Sequence, residues 1–277
     1  MGFRIATNTQ SLSAQRQIYN QRMEQGHKLE VLAAGERITR AADDAAGLAI
    51  SEKLRGEIRS IRQASRNAQD AVSLVQVAEG GLNEVSSMLI RMRELSIQGA
   101  SDTIGDSERG FINKEVQNLK AEIQRIADST HFNNVNLLNG ENPELEFQVG
   151  TGASPEKDRV KYEADNASAT IEALGIEDVK TETKEDAQNN ISMIDSAINS
   201  VSSNRATFGA LQNRLQSTIT SLMIGDENIS AANSRIRDAD MALETSELTK
   251  RNILANSSTA ALSQANQNNL LALKLIG

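Results

Sequence analysis

The side chains able to do chemistry are few and scattered. His27 and His131 are the two histidines, far apart in the chain, and no His-Glu-x-x-His zinc motif occurs. Each therefore reads as a structural or surface residue. The adjacent carboxylates Asp43 and Asp44 are of the type that metal binding or acid–base transfer needs. They stand directly before an apolar-periodic segment, so a helix cap, in which a carboxylate accepts from unpaired backbone N–H groups, is the simpler reading. Gly80-Gly81 falls inside a helical pattern rather than between a strand and a helix, which leaves no phosphate cradle. The absence of Cys excludes disulfides and thiolate chemistry. Arg91, Arg93, Glu94 and Leu95 form a denser group, and the planar guanidinium fork suits a protein contact better than catalysis. No polar constellation converges, so no catalytic residue, metal ligand or cofactor is assigned, and the chain does not read as an enzyme.

The elements that carry these residues are dictated by an unusual composition. Only 3% of the 277 residues are aromatic, and there is no Trp. Ala, Leu, Ile and Val must fill the core instead, which suits long helices packed side by side. Both prolines, Pro143 and Pro155, lie in the middle. Nothing outside it forbids very long helices. Glu141 to Asn190 holds 13 acidic and 5 basic residues, the whole net charge of −8, and the flanks balance. An acidic insert between neutral arms offers no basic face for nucleic acid. No apolar run of about 18 residues is present, so no membrane insertion is expected. Met1-Gly2-Phe3-Arg4-Ile5 lacks the apolar core of a cleavable secretory signal.

Spacing predicts a first helix over 5–32 with Gly35 as its stop, and a second from Asp44 to Gly99. The second carries Leu54, Ile58, Ile61, Ala68, Val72, Val75, Leu82, Val85, Leu89 and Met92 at three- and four-residue steps. Gly80 and Gly81 should weaken it locally. A third helix is predicted over 107–127, with Phe111, Ile112, Val116, Leu119, Ile123 and Ile126 inward. Asn139-Gly140 is a hairpin-type turn signal. Leu145 to Val149 alternates like a strand, with Arg159 to Tyr162 as its candidate partner. A fourth helix over 191–222 is the natural antiparallel partner of the second, and a last helix is predicted over 228–275. The fold class is mainly α: an elongated antiparallel bundle or coiled coil of long helices with a small β-hairpin region, its terminal helices forming a coiled-coil arm. The expected division is 1–42 and 231–277 as arms, 43–140 and 190–230 as bundle, and 141–189 as exposed insert.

A helix from Asp44 to Gly99 would be roughly 84 Å long at ~1.5 Å per residue. A compact globule of this size is only about 50 Å across, from a radius of gyration of ~19 Å, so a rod is expected. The arms carry thin stripes: Ile5, Leu12 and Ile18 at one end, Met241, Leu248, Leu262 and Ile276 at the other. Ordering a residue costs ~1–2 kcal/mol of backbone entropy, so two such arms alone should be marginal. Many copies burying the stripes together would order them, and a non-closing repeat gives an open helical filament.

The residues themselves carry a resemblance. Leu32 to Ile50, LAAGERITRAADDAAGLAI, and Leu89 to Gln98, LIRMRELSIQ, resemble the N-terminal signature of bacterial flagellins. Ser202 to Ala206, Leu211 to Leu215, Glu227 to Ala232 and Ser234 to Ala242 resemble the C-terminal one. The matches cover about 1–140 and 190–277. Glu36 stands where Leu is common, Ile90 where Gln is common, and Gln267-Asn268-Asn269 replaces a familiar Gln-Pro, so the last helix should run almost to Gly277. The resemblance implies a motility filament built from copies of the chain and lying outside the cell. It also implies export by the flagellar type III apparatus, a chaperone on the C-terminal arm, and contact with the filament cap and hook-associated proteins. Leu89, Arg91, Arg93, Glu94, Leu95 and Glu115 lie at positions that, in the family, contact neighbouring subunits or the vertebrate toll-like receptor 5. Two other readings stay open: a flagellin-like hook–filament junction protein, and a cytoplasmic coiled-coil adaptor.

Overall fold

The computed structural model describes residues 7–141, 144–162 and 168–274, with side chains up to Gln267. In order, the elements are α1 (Thr9–Ala34), α2 (Ala45–Gly99), α3 (Asp106–Ser129), β1 (His131–Phe132), β2 (Val135–Asn136), β3 (Leu145–Gln148), α4 (Pro155–Asp158), β4 (Arg159–Tyr162), α5 (Lys184–Arg237) and α6 (Met241–Lys274). The chain divides into two compact units. One takes Met1–Gly56 with Asn228–Gly277, the other Glu57–Glu227.

The second unit is a helical bundle with a small β-layer. Ile61, Ala64, Ala68, Ala71, Val75, Ala78, Leu82, Val85, Leu89 and Met92 alternate at three and four residues along α2, and all are buried. That is the seam of a coiled coil. Asn190, Ile194, Ala197, Val201, Phe208 and Leu215 line the matching face of α5. Two ion pairs give the direction: Arg93 meets Asp195 at 2.6 Å and Arg62 meets Asp226 at 3.0 Å. Numbers rise on one helix as they fall on the other, so α2 and α5 are antiparallel, as expected. Ile112, Val116, Ile123 and Ala127 close the core from α3. Phe111 does not join them. It is 66% exposed and lies under the Lys114 ammonium at 5.8 Å. One step before Ile112, it falls outside the buried arc of α3.

Arg109 ties the turn between α2 and α3. Its buried guanidinium donates to the Gly99 carbonyl at 3.0 Å and the Ser101 carbonyl at 3.1 Å, and pairs with Asp106 at 2.7 Å. It therefore satisfies the Gly99 carbonyl, which the end of α2 leaves without a helical partner, and ties down the Ser101 carbonyl just beyond it. Gly81 does not interrupt α2; a Cβ there would lie 2.8 Å from both Leu138 Cδ1 and Thr130 Oγ1. The missing side chain admits the segment that follows α3.

The tight hairpin is not at Asn139-Gly140. It joins β1 to β2 through Asn133 and Asn134, whose φ values of 47° and 68° suit a two-residue turn matched to strand twist. β3 and β4 pair antiparallel, Leu145 opposite Tyr162 and Gln148 opposite Arg159, as the alternation predicted. Tyr162 is buried, stacks on Phe208 with ring centroids 5.3 Å apart, and donates its hydroxyl to the Leu137 carbonyl at 3.0 Å.

In the first unit, α1 opens on Asn8, whose side chain accepts from Ser11 N–H at 3.0 Å, and closes at Gly35 with φ 70°. Of the two carboxylates considered as a cap, Asp44 caps α2, accepting from Gly47 N–H at 2.8 Å. Asp43 instead orders the preceding turn, accepting from Thr39 and Arg40 N–H groups at 3.1 and 2.9 Å. The break between the last two helices is later than expected. α5 passes through 223–228 without interruption and ends at Arg237. A lone Gly225 lowers helix propensity by only about 1 kcal/mol, whereas the Asp240 carboxylate accepts from Ala242 and Leu243 N–H groups and starts α6 afresh.

Candidate functional site

Two surfaces carry the candidate contacts, the α1–α6 pair and the outer face of the bundle around Arg91. The pair is antiparallel. Asn8 donates to the Ala265 carbonyl at 3.1 Å and Gln25 to Asn252 at 2.6 Å. Lys28 pairs with Glu244 at 2.7 Å, and Arg251 pairs with Glu24. Among the more shielded residues, Ser11, Ala14, Ile18, Gln21, Gln25, Lys28 and Val31 form one series along α1, and Glu244, Leu248, Arg251, Ala255, Ser258, Leu262 and Ala265 form another along α6. Both sets step by three and four residues, the spacing of a coiled-coil seam, but most members are polar or small. Many of the large apolar residues point the other way. Leu12, Tyr19 and Met23 are 56%, 64% and 57% exposed, and Leu29, Met241, Leu243 and Ile253 are similarly open. Leu12, Tyr19 and Met23 lie seven and four residues apart, on one face of α1.

The stripe predicted from sequence is therefore split. Ile18, Leu248 and Leu262 are half-buried on the intramolecular seam, while Leu12 and Met241 face outward. Ile5 and Ile276 lie outside the described residues. Sequence reading missed the polar seam because it followed apolar residues alone; the three-four spacing of Ser11, Gln21, Gln25 and Lys28 was the available signal.

At the joint beyond these helices, Arg37 N–H donates to the Arg237 carbonyl at 2.6 Å and Ala239 N–H to the Gly35 carbonyl at 3.0 Å. Glu36 meets Arg237 at 2.9 Å, and Arg237 also meets Glu52 at 2.6 Å. Asp43 faces His27 at 3.4 Å. Its pKa is held below the ordinary carboxylate value, chiefly by the Arg40 N–H.

On the bundle, Arg91 donates to Glu94 at 3.0 Å and to Glu115 at 3.0 and 2.9 Å. These carboxylates raise its pKa, Glu94 first. Arg91, Glu94 and Glu115 thus form one exposed cluster across α2 and α3. Arg93 turns to Asp195 on α5. Leu89 and Leu95 are 0% and 2% exposed within the core, so the structure does not bring them to that surface. Among the described residues, no group of three or more His, Cys, Asp or Glu is placed to hold a metal, and no helix is long and apolar enough to cross a membrane.

Long-helix seams with large apolar side chains turned outward on one unit define a structural assembly subunit. Comparisons with known proteins give the kind. The family model for the bacterial flagellin N-terminal helical region matches residues 5–143, and that for the C-terminal helical region matches 191–274. A flagellin of Halalkalibacterium halodurans is 47% identical, covering 92% of this chain and 93% of the relative. A flagellar filament 33 kDa core protein of Treponema phagedenis is 40% identical over 98% of this chain and 99% of its own. The crystal structure of Bacillus cereus flagellin superposes with a TM-score of 0.51 at 29% identity, covering 57% of this chain and 88% of that one. The chain belongs to the bacterial flagellin family. It is a structural subunit of a flagellar filament and not an enzyme.

Proposed function

We propose that α1 and α6 are the elements through which copies of this chain assemble into the filament, with their outward apolar residues as the contacts. The observation that carries this is the inverted distribution on α1: Leu12, Tyr19 and Met23 open, Ser11 and Gln21 shielded. An isolated helix pair gains by burying its largest apolar groups, at about 25 cal/mol per Å², and this pair leaves them to something else. Repeated copies of the same chain supply that surface without a second component. The filament lies outside the cell, where the subunit serves motility, and the subunit reaches it through the flagellar type III apparatus, with a chaperone on the C-terminal arm and cap and hook-associated proteins at its ends.

Electron microscopy of the purified chain under polymerising conditions tests the central reading. Long fibres are expected; short closed rings would favour a junction protein. A chain lacking residues 1–42 and 241–277 should form no fibres while its bundle keeps its helicity. Long fibres from the trimmed chain would refute the assignment. Arg91, Glu94 and Glu115 form a contact for neighbouring subunits and, secondarily, for toll-like receptor 5. The exposed guanidinium held between two carboxylates supports this. Equal receptor activation by wild type and Arg91→Ala would count against it.

A further inference from the structure

The order of charges along the α1–α6 seam carries more than pair stability. Glu24 and Lys28 face Arg251 and Glu244 respectively. Glu244 is 8% exposed and lies in the seam rather than at its rim. Glu244 and Arg251 are one heptad apart, and a heptad is the smallest slip that returns the same faces to contact. Sliding α6 so that Arg251 replaces Glu244 would set Arg251 against Lys28. Sliding it the other way would set Glu244 against Glu24. Either slip converts an attraction into a like-charge contact, at Lys28 in a partly dehydrated site where such contacts are costly, and at the more open Glu24 where the cost is smaller. Gln21 adds a second observation: its Oε1 is buried without a hydrogen-bond partner. A seam selected for strength alone would not retain that group.

We propose that Glu24, Lys28, Glu244 and Arg251 set the register of the α1–α6 pair, and that they do so by excluding the two one-heptad slips. This rests on the reading of α1 and α6 as the assembly elements. Because their outward residues are presented to other copies, a slipped pair would offer the wrong face, so register is a condition of correct assembly. The four residues are positioning residues for the polymer.

The chain has no cysteine, so introduced pairs can report register cleanly. Gln25→Cys with Asn252→Cys marks the observed register. Gln25→Cys with Thr245→Cys, or with Thr259→Cys, marks the two slips. Cross-links are scored as intramolecular, by the mobility of the single-chain band, in assembled fibres. In the native charge background the first pair should cross-link and the other two should not. The decisive variant exchanges one pair, Lys28→Glu with Glu244→Lys. It preserves both observed attractions but makes both slips attractive as well. Slipped cross-links should then rise at least about tenfold, the effect of a modest energetic preference, while the in-register link persists.

Slipped yields as low as in the native background would overturn the proposal, since the exchange leaves ion-pair strength unchanged. Slipped links already strong in the native background would overturn it too. Should the exchange prevent fibres from forming, the exchanged chain is copolymerised with an excess of the native chain and the same yields are read in those fibres, with the same two outcomes. Failure of the native chain to form fibres counts against the filament reading instead, so the two failures are distinguishable.

Discussion

Leu89 and Ile90 are neighbours in sequence, yet truncating each should have different consequences. Leu89 is fully enclosed and Ile90 is half open to solvent. Leu89→Ala should cost about 2–5 kcal/mol, the range for a cavity in a packed core, whereas Ile90→Ala should stay within about 0.5 kcal/mol. Denaturant midpoints of the two variants check this. Tyr162 gives a pH dependence. Burial holds its phenol above the ordinary value, which is about 10. The neutral form is the one the fold favours, so its contribution is complete below about pH 10 and is lost as pH rises further. In a Tyr19→Phe background Tyr162 is the one remaining phenol. Its phenolate absorbance should then rise together with loss of folded structure. Ionisation with circular dichroism unchanged would refute the enclosed environment.

At the scale of elements, the glycine pair in α2 separates two effects that sequence alone merges. Gly80 has open space where a Cβ would stand, but Gly81 meets Leu138 and Thr130. Gly80→Ala should raise stability by about 0.5–1 kcal/mol through helix propensity, while Gly81→Ala should lower it by forcing the following segment away. Thermal midpoints moving in the same direction would contradict this. The same contrast shows what was legible beforehand. The α2 seam, the Gly35 stop and the β3–β4 pairing were readable because strong apolar periodicity or turn chemistry marks them. The end of α5 was not, because the apolar series was followed only to Leu222 and the capping carboxylate of Asp240 went unread. The hairpin at Asn133-Asn134 lost to Asn139-Gly140 because Gly is the commoner left-handed residue, although Asn adopts that conformation as well. Phe111 was placed inward by hydrophobicity, and the arc of α3 decided otherwise. Arg109 was overlooked because a charged residue is seldom expected inside, and only the loose carbonyls at the end of α2 explain it.

For the whole molecule, the candidate site was legible only in part: sequence pointed to the arms, the elements proposed here for assembly, but not to which of their faces is turned outward. Replacing Leu12, Tyr19 and Met23 together by Ser tests that face directly. Each buried apolar side chain contributes about 1.5–3 kcal/mol, so the concentration needed for fibre growth should rise by more than about a hundredfold. The helicity of the free chain should hardly change, because these groups are exposed there. Sedimentation of fibres across a concentration series would measure it, and an unchanged threshold would place the contacts elsewhere.

The outward position of Met23 and Met241 has a chemical consequence. With no thiol in the chain, thioethers are its readiest targets for peroxide, which transfers one oxygen to sulfur and leaves water. A sulfoxide at either position would put a strong dipole on the face proposed above to be covered by other copies. Subunits damaged before incorporation should be refused by a growing end, while those already inside the polymer are shielded. Mass spectrometry after brief peroxide exposure should find these two sulfurs modified in free chains and largely spared in fibres.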